Sequence, residues 1–233
     1  MSRYIQIISY PRSGSILMLS LMYGSVSNFK VHATEASAST YAKVDYNTMG
    51  KRPTDIREMA GIEAQYKRAG KELSWLFVQR DIRSVMTSFH HNIPKDYFIG
   101  WDYVYRVAGM NDGYKEKTGI KYMKGIMDTA KAMQSNICVV KYEDLLKSPD
   151  YVQDKIKTEL AVDFTTRFSN IDENLIPDNL KQGGITVKLD PSRREKWMQH
   201  KLRIIEEFNK FPEMFDVLIE EGYEDNRDWF DEI

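Results

Sequence analysis

Residues 10–15 read YPRSGS and directly follow the apolar run YIQIIS. Arg12 brings a permanent charge with a planar fork of donors, and Ser13 and Ser15 bring hydroxyl donors. Gly14 lets the backbone approach a ligand closely. Placed between a strand and a helix, such a loop presents unpaired backbone N–H groups and the positive end of the helix dipole. That chemistry suits a phosphate or a sulfate. The plainer reading is a capped turn with a solvated Arg. The pattern GxxxxGK[ST] is absent, so the common nucleotide-phosphate loop is not supported.

A second polar element, RDIRSVMTSFHH (80–91), follows the apolar run LSWLFVQ in the same way. If both runs are strands of one parallel sheet, both loops open on its carboxyl edge, where ligands of such sheets bind. Arg80 stands at the strand end and could share one anion with Ser88, placed near the second turn of a helix starting at Ile82. The plainer reading makes Asp81 a helix N-cap and Arg83 a surface charge.

The elements that must position these residues can be read from periodicity. RYIQIIS (3–9), NFKVHA (28–33), LSWLFVQ (73–79) and NICVVKY (136–142) read as strands. SILMLSLMYG (15–24) reads as a helix capped by Ser13 or Ser15 and ended by Gly24. Residues 54–70 form a helix starting from Thr54. In 82–91, Ile82, Val85, Met86 and Phe89 share a helical face. Residues 120–134 and 148–160 are helical, the latter with Ser148 as cap and Pro149 at the first position. A helix over 195–223 should break near Pro212. Residues 34–55, punctuated by Gly50 and Pro53, read as a loop region that could cover a site. Strands alternating with helices predict an α/β fold: one domain over 1–233, in three layers, with a central parallel sheet flanked by helices.

Composition narrows the function classes. The chain has 233 residues, 42% hydrophobic and 29% charged, with a net charge of −1. No global basic field points to nucleic acid, and the basic residues are interleaved with acids. Cys138 is the only cysteine, so an intramolecular disulfide and a cysteine-based zinc site are excluded. Inside an apolar run it reads as a buried thiol. His32, His90, His91 and His200 lack the HExxH spacing of zinc hydrolases. No stretch approaches the ~20 apolar residues of a membrane span, and none resembles a signal peptide, so a cytoplasmic location is expected.

The two loops in this order, YPRSGS and RDIRSVMTS, resemble the signature elements of sulfotransferases that use 3′-phosphoadenosine 5′-phosphosulfate (PAPS). KYEDLLKSP (141–149) and SRREKW (192–197) resemble two further segments of that family. The resemblance spans roughly residues 4 to 223. It implies a P-loop-NTPase-like fold, PAPS as co-substrate, 3′-phosphoadenosine 5′-phosphate (PAP) as product, and no metal. It also implies cofactor contacts. Arg12 and the backbone of Ser13, Gly14, Ser15 and Ile16 would hold the 5′-phosphosulfate, and Arg80 and Ser88 the 3′-phosphate. Tyr142 would lie by the adenine, and Arg193 and Arg194 would aid the 3′-phosphate. The sequence departs from the family at Ile82 and Ser84, where Pro and Asp are usual, and at Ile16 and Leu17, where Thr and an adenine-stacking Trp are frequent.

Within that resemblance Arg12 serves catalysis electrostatically, since Arg does not give up its proton. Lys30 and His32 in FKVHA are similar to the family's K-x-H element, whose His takes the acceptor proton. Residues two apart on a strand share a face. A surface His at a strand end is the plainer reading, and Glu35 and Asp45 are competing bases. His90 and His91 read as structural or acceptor-side, and Trp197 as a packing anchor. The aromatic stretch DYFIGWDYVYRV (96–107) could line an acceptor pocket or belong to the core. The acceptor class would be a hydroxyl or amine of a small molecule or glycan. Two other classes stand beside this one: a P-loop-type kinase, marked by magnesium dependence, and a non-catalytic nucleotide-binding relative, marked by product binding without turnover.

Overall fold

Short runs of Ile, Val, Leu, Phe and Trp, buried on both faces, assemble the centre of the molecule. The computed structural model describes residues 2–35, 38–51, 56–90, 92–93, 95–106, 114–132, 136–181 and 189–233. Its main elements run β1 (Arg3–Ser9), α1 (Ser15–Ser25), β2 (Lys30–Glu35), α2 (Ala38–Tyr41), β3 (Thr48–Lys51), α3 (Ile56–Arg68), β4 (Glu72–Gln79), α4 (Ile82–Met86), β5 (Val104–Arg106), β6 (Tyr114–Glu116), α5 (Gly119–Ala132), β7 (Asn136–Lys141), α6 (Tyr142–Lys147), α7 (Pro149–Leu160), α8 (Asp178–Lys181), α9 (Lys201–Lys210) and α10 (Glu213–Glu220). The chain packs as two compact units. The first comprises Met1–Ser9, Ser13–Gln79 and Gly125–Asp190; the second comprises Tyr10–Arg12, Arg80–Lys124 and Pro191–Ile233.

The first unit is built on a five-stranded parallel sheet of order β2-β3-β1-β4-β7. On one face Ile5, Ile7, Leu76, Val78, Cys138 and Val140 join Leu17 and Leu21 of α1 and Ile156 of α7 in the main core. On the other face Tyr4 packs with Ala38, Ile62 and Tyr66 from α2 and α3. Parallel strands need crossovers, and these put helices on both faces. The α/β class with a helix-flanked parallel sheet is therefore the one the chain adopts. Register pairs Ser9 with Val78, Val78 with Val140, and Gln79 with Lys141. Three neighbouring strands thus end together at one edge of the sheet, as the two signature loops require.

The second unit holds the antiparallel hairpin β5–β6, α4, α9 and α10. Its core is aromatic: Phe208, Phe215, Trp229 and Phe230 meet edge to face or tilted, with centroids 4.9–6.0 Å apart. Such pairs add to the area they bury.

Several boundaries differ from the sequence reading, each for a local reason. Helix α1 runs through Gly24 to Ser25, and its N-cap is Gly14 rather than either serine. Strand β2 continues to Glu35, so His32 lies in its middle and not at its end. The expected loop at 34–55 contains α2 and the sheet strand β3, whose TMGK sequence has one apolar residue and no alternation to betray it. Helix α4 stops at Met86. Thr87 Oγ1 donates to Arg83 O at 2.8 Å and Ser88 Oγ to Val85 O at 2.7 Å. Such local side-chain bonds compete with helix propagation, so Phe89 leaves the apolar face and is 43% exposed. The long C-terminal helix breaks at Phe211–Pro212 as expected. Thr54, the expected cap of α3, lies outside the described residues.

Candidate anion site

The first loop leaves the sheet where β1 ends. Arg12 and Gly14 both have left-handed backbones, with φ 67° and 84°. Two left-handed residues flanking Ser13 turn the chain sharply into α1, and Met18 N–H closes the first helical turn onto Gly14 O at 2.9 Å. No side chain caps α1, and no acidic residue lies in its first turn. Helices of this length usually recruit a cap, because their first N–H groups lack intrahelical partners. Ser13 is 0% exposed, and its hydroxyl has no hydrogen-bond partner among the described residues. A buried hydroxyl left unpaired is costly. An uncapped helix start and an orphan hydroxyl beside it are what an anion would satisfy.

Gly14 is held by the first residue of α6. The ring of Tyr142 lies on the Gly14 Cα, and a Cβ there would overlap its Cδ2 and stand 2.6 Å from its Cε2. Tyr142 itself is buried. It packs against Gly14 from a distant part of the chain, a contact with no local signal in the sequence. Ile16 and Leu17 pack against the main core, so the two departures from the family pattern serve the hydrophobic interior.

The second signature element shapes the second unit. Asp81 caps α4, its carboxylate accepting from Arg83 N–H at 2.8 Å, as the plainer reading expected. Arg83, read as a surface charge, is instead buried at 4% exposure. Its guanidinium donates to Asp81 through Nε and Nη2 and pairs with Glu224 at 2.5 Å. The rings of Trp197 and Trp229 lie 4.3 and 4.5 Å from it. Arg80 donates from Nη1 to the carbonyl of Arg12 at 2.6 Å. Ser84 Oγ donates to the carbonyl of Arg194 at 3.2 Å, and the Arg194 Nε is buried without a hydrogen-bond partner among the described residues. The element therefore touches the backbone of both an upstream and a downstream basic residue. Ser88 sits beyond α4 with its proton given to Val85 O. Arg193 ends a short 3-10 turn over Pro191–Arg193 and is half-buried.

The K-x-H pair belongs to the first unit. Val31 and Ala33 pack against the core that contains α1. Lys30 is exposed, with its ammonium 5.5 Å from the Tyr46 ring. Thr48 Oγ1 donates to Lys30 O at 3.0 Å, so it receives the proton of His32 Nε2 at 2.6 Å. The remaining ring nitrogen, Nδ1, accepts from Tyr41 OH at 3.3 Å, and the two rings lie 4.1 Å apart. His32 is thus a neutral Nε2–H tautomer with both nitrogens engaged. Burial, and then the charge of Lys30, hold its pKa below the ordinary value. Among the competing bases, Asp45 is exposed and pairs with Lys71 at 3.1 Å. Glu35 is the last residue of β2, paired in register with Lys51.

His90 stacks on Phe98 at 4.9 Å, and its Nδ1 accepts from Asn92 N–H; His91 lies outside the described residues. The aromatic stretch divides. Ile99 and Trp101 are core. The hydroxyls of Tyr97, Tyr103 and Tyr105 bond His200, the Tyr97 carbonyl and Asp96.

No family model matches the chain, and no curated protein matches it. Solved structures that resemble it include the sulfotransferase domain from the curacin biosynthetic pathway, at 14% identity and a TM-score of 0.47, covering 85% of this chain and 91% of that one. Another is the sulfotransferase domain from the Synechococcus PCC 7002 olefin synthase, at 16% identity and a TM-score of 0.45, covering 85% of this chain and 87% of that one.

Proposed function

We propose that the chain is a sulfotransferase that moves a sulfuryl group from PAPS to a hydroxyl or amine acceptor. The observation that carries this reading is the uncapped start of α1 around the buried, unpaired Ser13 hydroxyl. The order of the motifs YPRSGS, RDIRSVMTS, KYEDLLKSP and SRREKW then names the anion as a phosphosulfate.

The chemistry assigns roles. The backbone N–H groups of Ser13, Gly14, Ser15 and Ile16, with Ser13 Oγ, donate to the oxygens of the 5′-phosphosulfate. Gly14 takes the left-handed turn that this loop needs, with the Tyr142 ring packed where a side chain would stand. Arg12 neutralises charge that develops on the bridging oxygen as the bond breaks. The acceptor oxygen or nitrogen attacks sulfur in line, the S–O bond to the phosphate breaks, and its electron pair leaves on the 5′-phosphate of PAP. The acceptor proton goes to a base. His32 fills that role once Nδ1 is released by Tyr41, with burial and then Lys30 keeping the ring neutral. Arg80, Arg193 and Arg194 hold the 3′-phosphate, joined by Ser88 once its hydroxyl turns from Val85 O to the phosphate, and Tyr142 fixes the loop. No divalent cation enters this scheme, and no nucleic acid is a partner.

Calorimetric titration with PAP, ADP and ATP–Mg²⁺ tests the proposal. Selective binding of PAP, weakened about tenfold or more by Arg80→Ala and by Arg12→Ala, supports it. Preference for ATP–Mg²⁺ replaces it with a kinase, and no binding of any of the three overturns it.

A further inference from the structure

An Arg with a left-handed backbone is uncommon, because its Cβ crowds the following carbonyl. Arg12 has φ 67°, and such a conformation persists only where the surroundings impose it. The contact that bears on it directly is Arg80, whose Nη1 donates to the Arg12 carbonyl at 2.6 Å. The two residues are 68 positions apart in sequence and belong to the same compact unit.

We propose that Arg80 is a positioning residue for the anion loop as well as a ligand for the nucleotide. It clamps the Arg12 carbonyl and so fixes the left-handed backbone from which the Arg12 side chain and the Ser13 N–H project. Binding at Arg80 and binding in the loop are then coupled through one hydrogen bond. A 3′-phosphate stiffens the guanidinium that holds the loop, and the loop holds a 5′-phosphate better when the guanidinium is in place. This inference rests on the sulfotransferase reading and adds to it a link between the two ends of the nucleotide.

The test separates contact from clamp by using a ligand that has no 3′-phosphate. PAP and 5′-AMP are titrated against the wild-type chain, Arg80→Ala, Arg12→Gly and the double variant. Circular dichroism confirms that each variant is folded. If Arg80 only contacts the 3′-phosphate, Arg80→Ala weakens PAP and leaves 5′-AMP unchanged, and the clamp is overturned while the functional reading stands. If it clamps the loop, Arg80→Ala also weakens 5′-AMP, by about tenfold or more for one charge-assisted hydrogen bond. Glycine adopts positive φ without strain. In the Arg12→Gly background the left-handed turn carries no strain, and Arg80→Ala should then cost less 5′-AMP affinity than it does in the wild-type background. An equal loss in both backgrounds overturns the clamp. Failure of the wild-type chain to bind either nucleotide overturns the functional reading, and the clamp with it.

Discussion

The ring of Tyr142, the first residue of α6, rests on the Cα of Gly14, the N-cap of α1. Any side chain at position 14 meets two obstacles. The backbone is left-handed at φ 84°, which costs a non-glycine residue about 1–2 kcal/mol. A Cβ would also press into a buried ring, and overpacking adds roughly 1–3 kcal/mol. Gly14→Ala should therefore lower stability measurably in urea titration and weaken PAP binding by more than about tenfold, as the first turn of α1 shifts. Tyr142→Ala removes the steric obstacle but costs stability of its own, because the ring is buried in the core. Gly14→Ala should therefore cost less in the Tyr142→Ala background than in the wild-type chain, but not nothing, because the backbone conformation is still unfavourable. No cost in that background would mean that the left-handed turn is not strained.

Arg83 makes a different kind of prediction, about the second unit only. Its guanidinium lies against the rings of both Trp197 and Trp229 and bonds Asp81 and Glu224. Removing one member of a buried ionic cluster strands the others, at a cost of about 3–5 kcal/mol. Arg83→Met should destabilise the protein by that order, read by denaturant unfolding with tryptophan fluorescence. Arg83→Lys keeps the charge but loses the planar fork and the flat stacking surface. It should rescue less than half of the loss. A variant of wild-type stability at this position would show that the cluster is an ornament of the surface.

The contrast between these residues explains what the sequence discloses. Strands β1 and β4 are legible because burial on both faces makes them continuous apolar runs, and the turn after β1 is legible because Arg, Ser and Gly stand together. The partners of those residues are not local. Tyr142 reaches Gly14 across 128 positions and Trp197 reaches Arg83 across 114, and no periodicity encodes either meeting. Arg83 therefore presents itself in the sequence as a solvated charge. The four-residue β3 is hidden for another reason: its Gly50 and Lys51 carry no strand signal, and its neighbours in the sheet supply the order. With β3 unseen, Thr48 could not be placed against His32, nor β2 seen to extend to Glu35.

His32 gives a pH dependence with a definite sign. Its pKa is lowered in the folded state by burial and by Lys30, so the folded protein binds its proton less readily than the unfolded chain. The neutral ring contributes stability that is fully present above the unfolded pKa of about 6.5. That contribution is lost as pH falls through the lower folded value. Protonation would also turn Nδ1 into a donor facing the Tyr41 hydroxyl. In thermal melts from pH 8 to 5, His32→Gln should flatten the acid-side decline relative to the wild-type chain. Parallel curves would remove His32 as the source of that decline.

Ser13 yields the most direct conflict between stability and binding. Its hydroxyl is buried and without a hydrogen-bond partner among the described residues, and an orphan of this kind costs about 1–3 kcal/mol. Ser13→Ala removes the orphan at almost constant shape. Without ligand the variant should be more stable than the wild-type chain, by about 1 kcal/mol, because alanine has nothing to leave unpaired. With PAP present the order should reverse in affinity: the variant loses a donor to the 5′-phosphate and should bind about tenfold more weakly. Both effects come from one atom, so they must appear together. A variant that loses stability without ligand would show that the hydroxyl is bonded within the protein. One that gains stability and binds PAP unchanged would move the anion away from the start of α1.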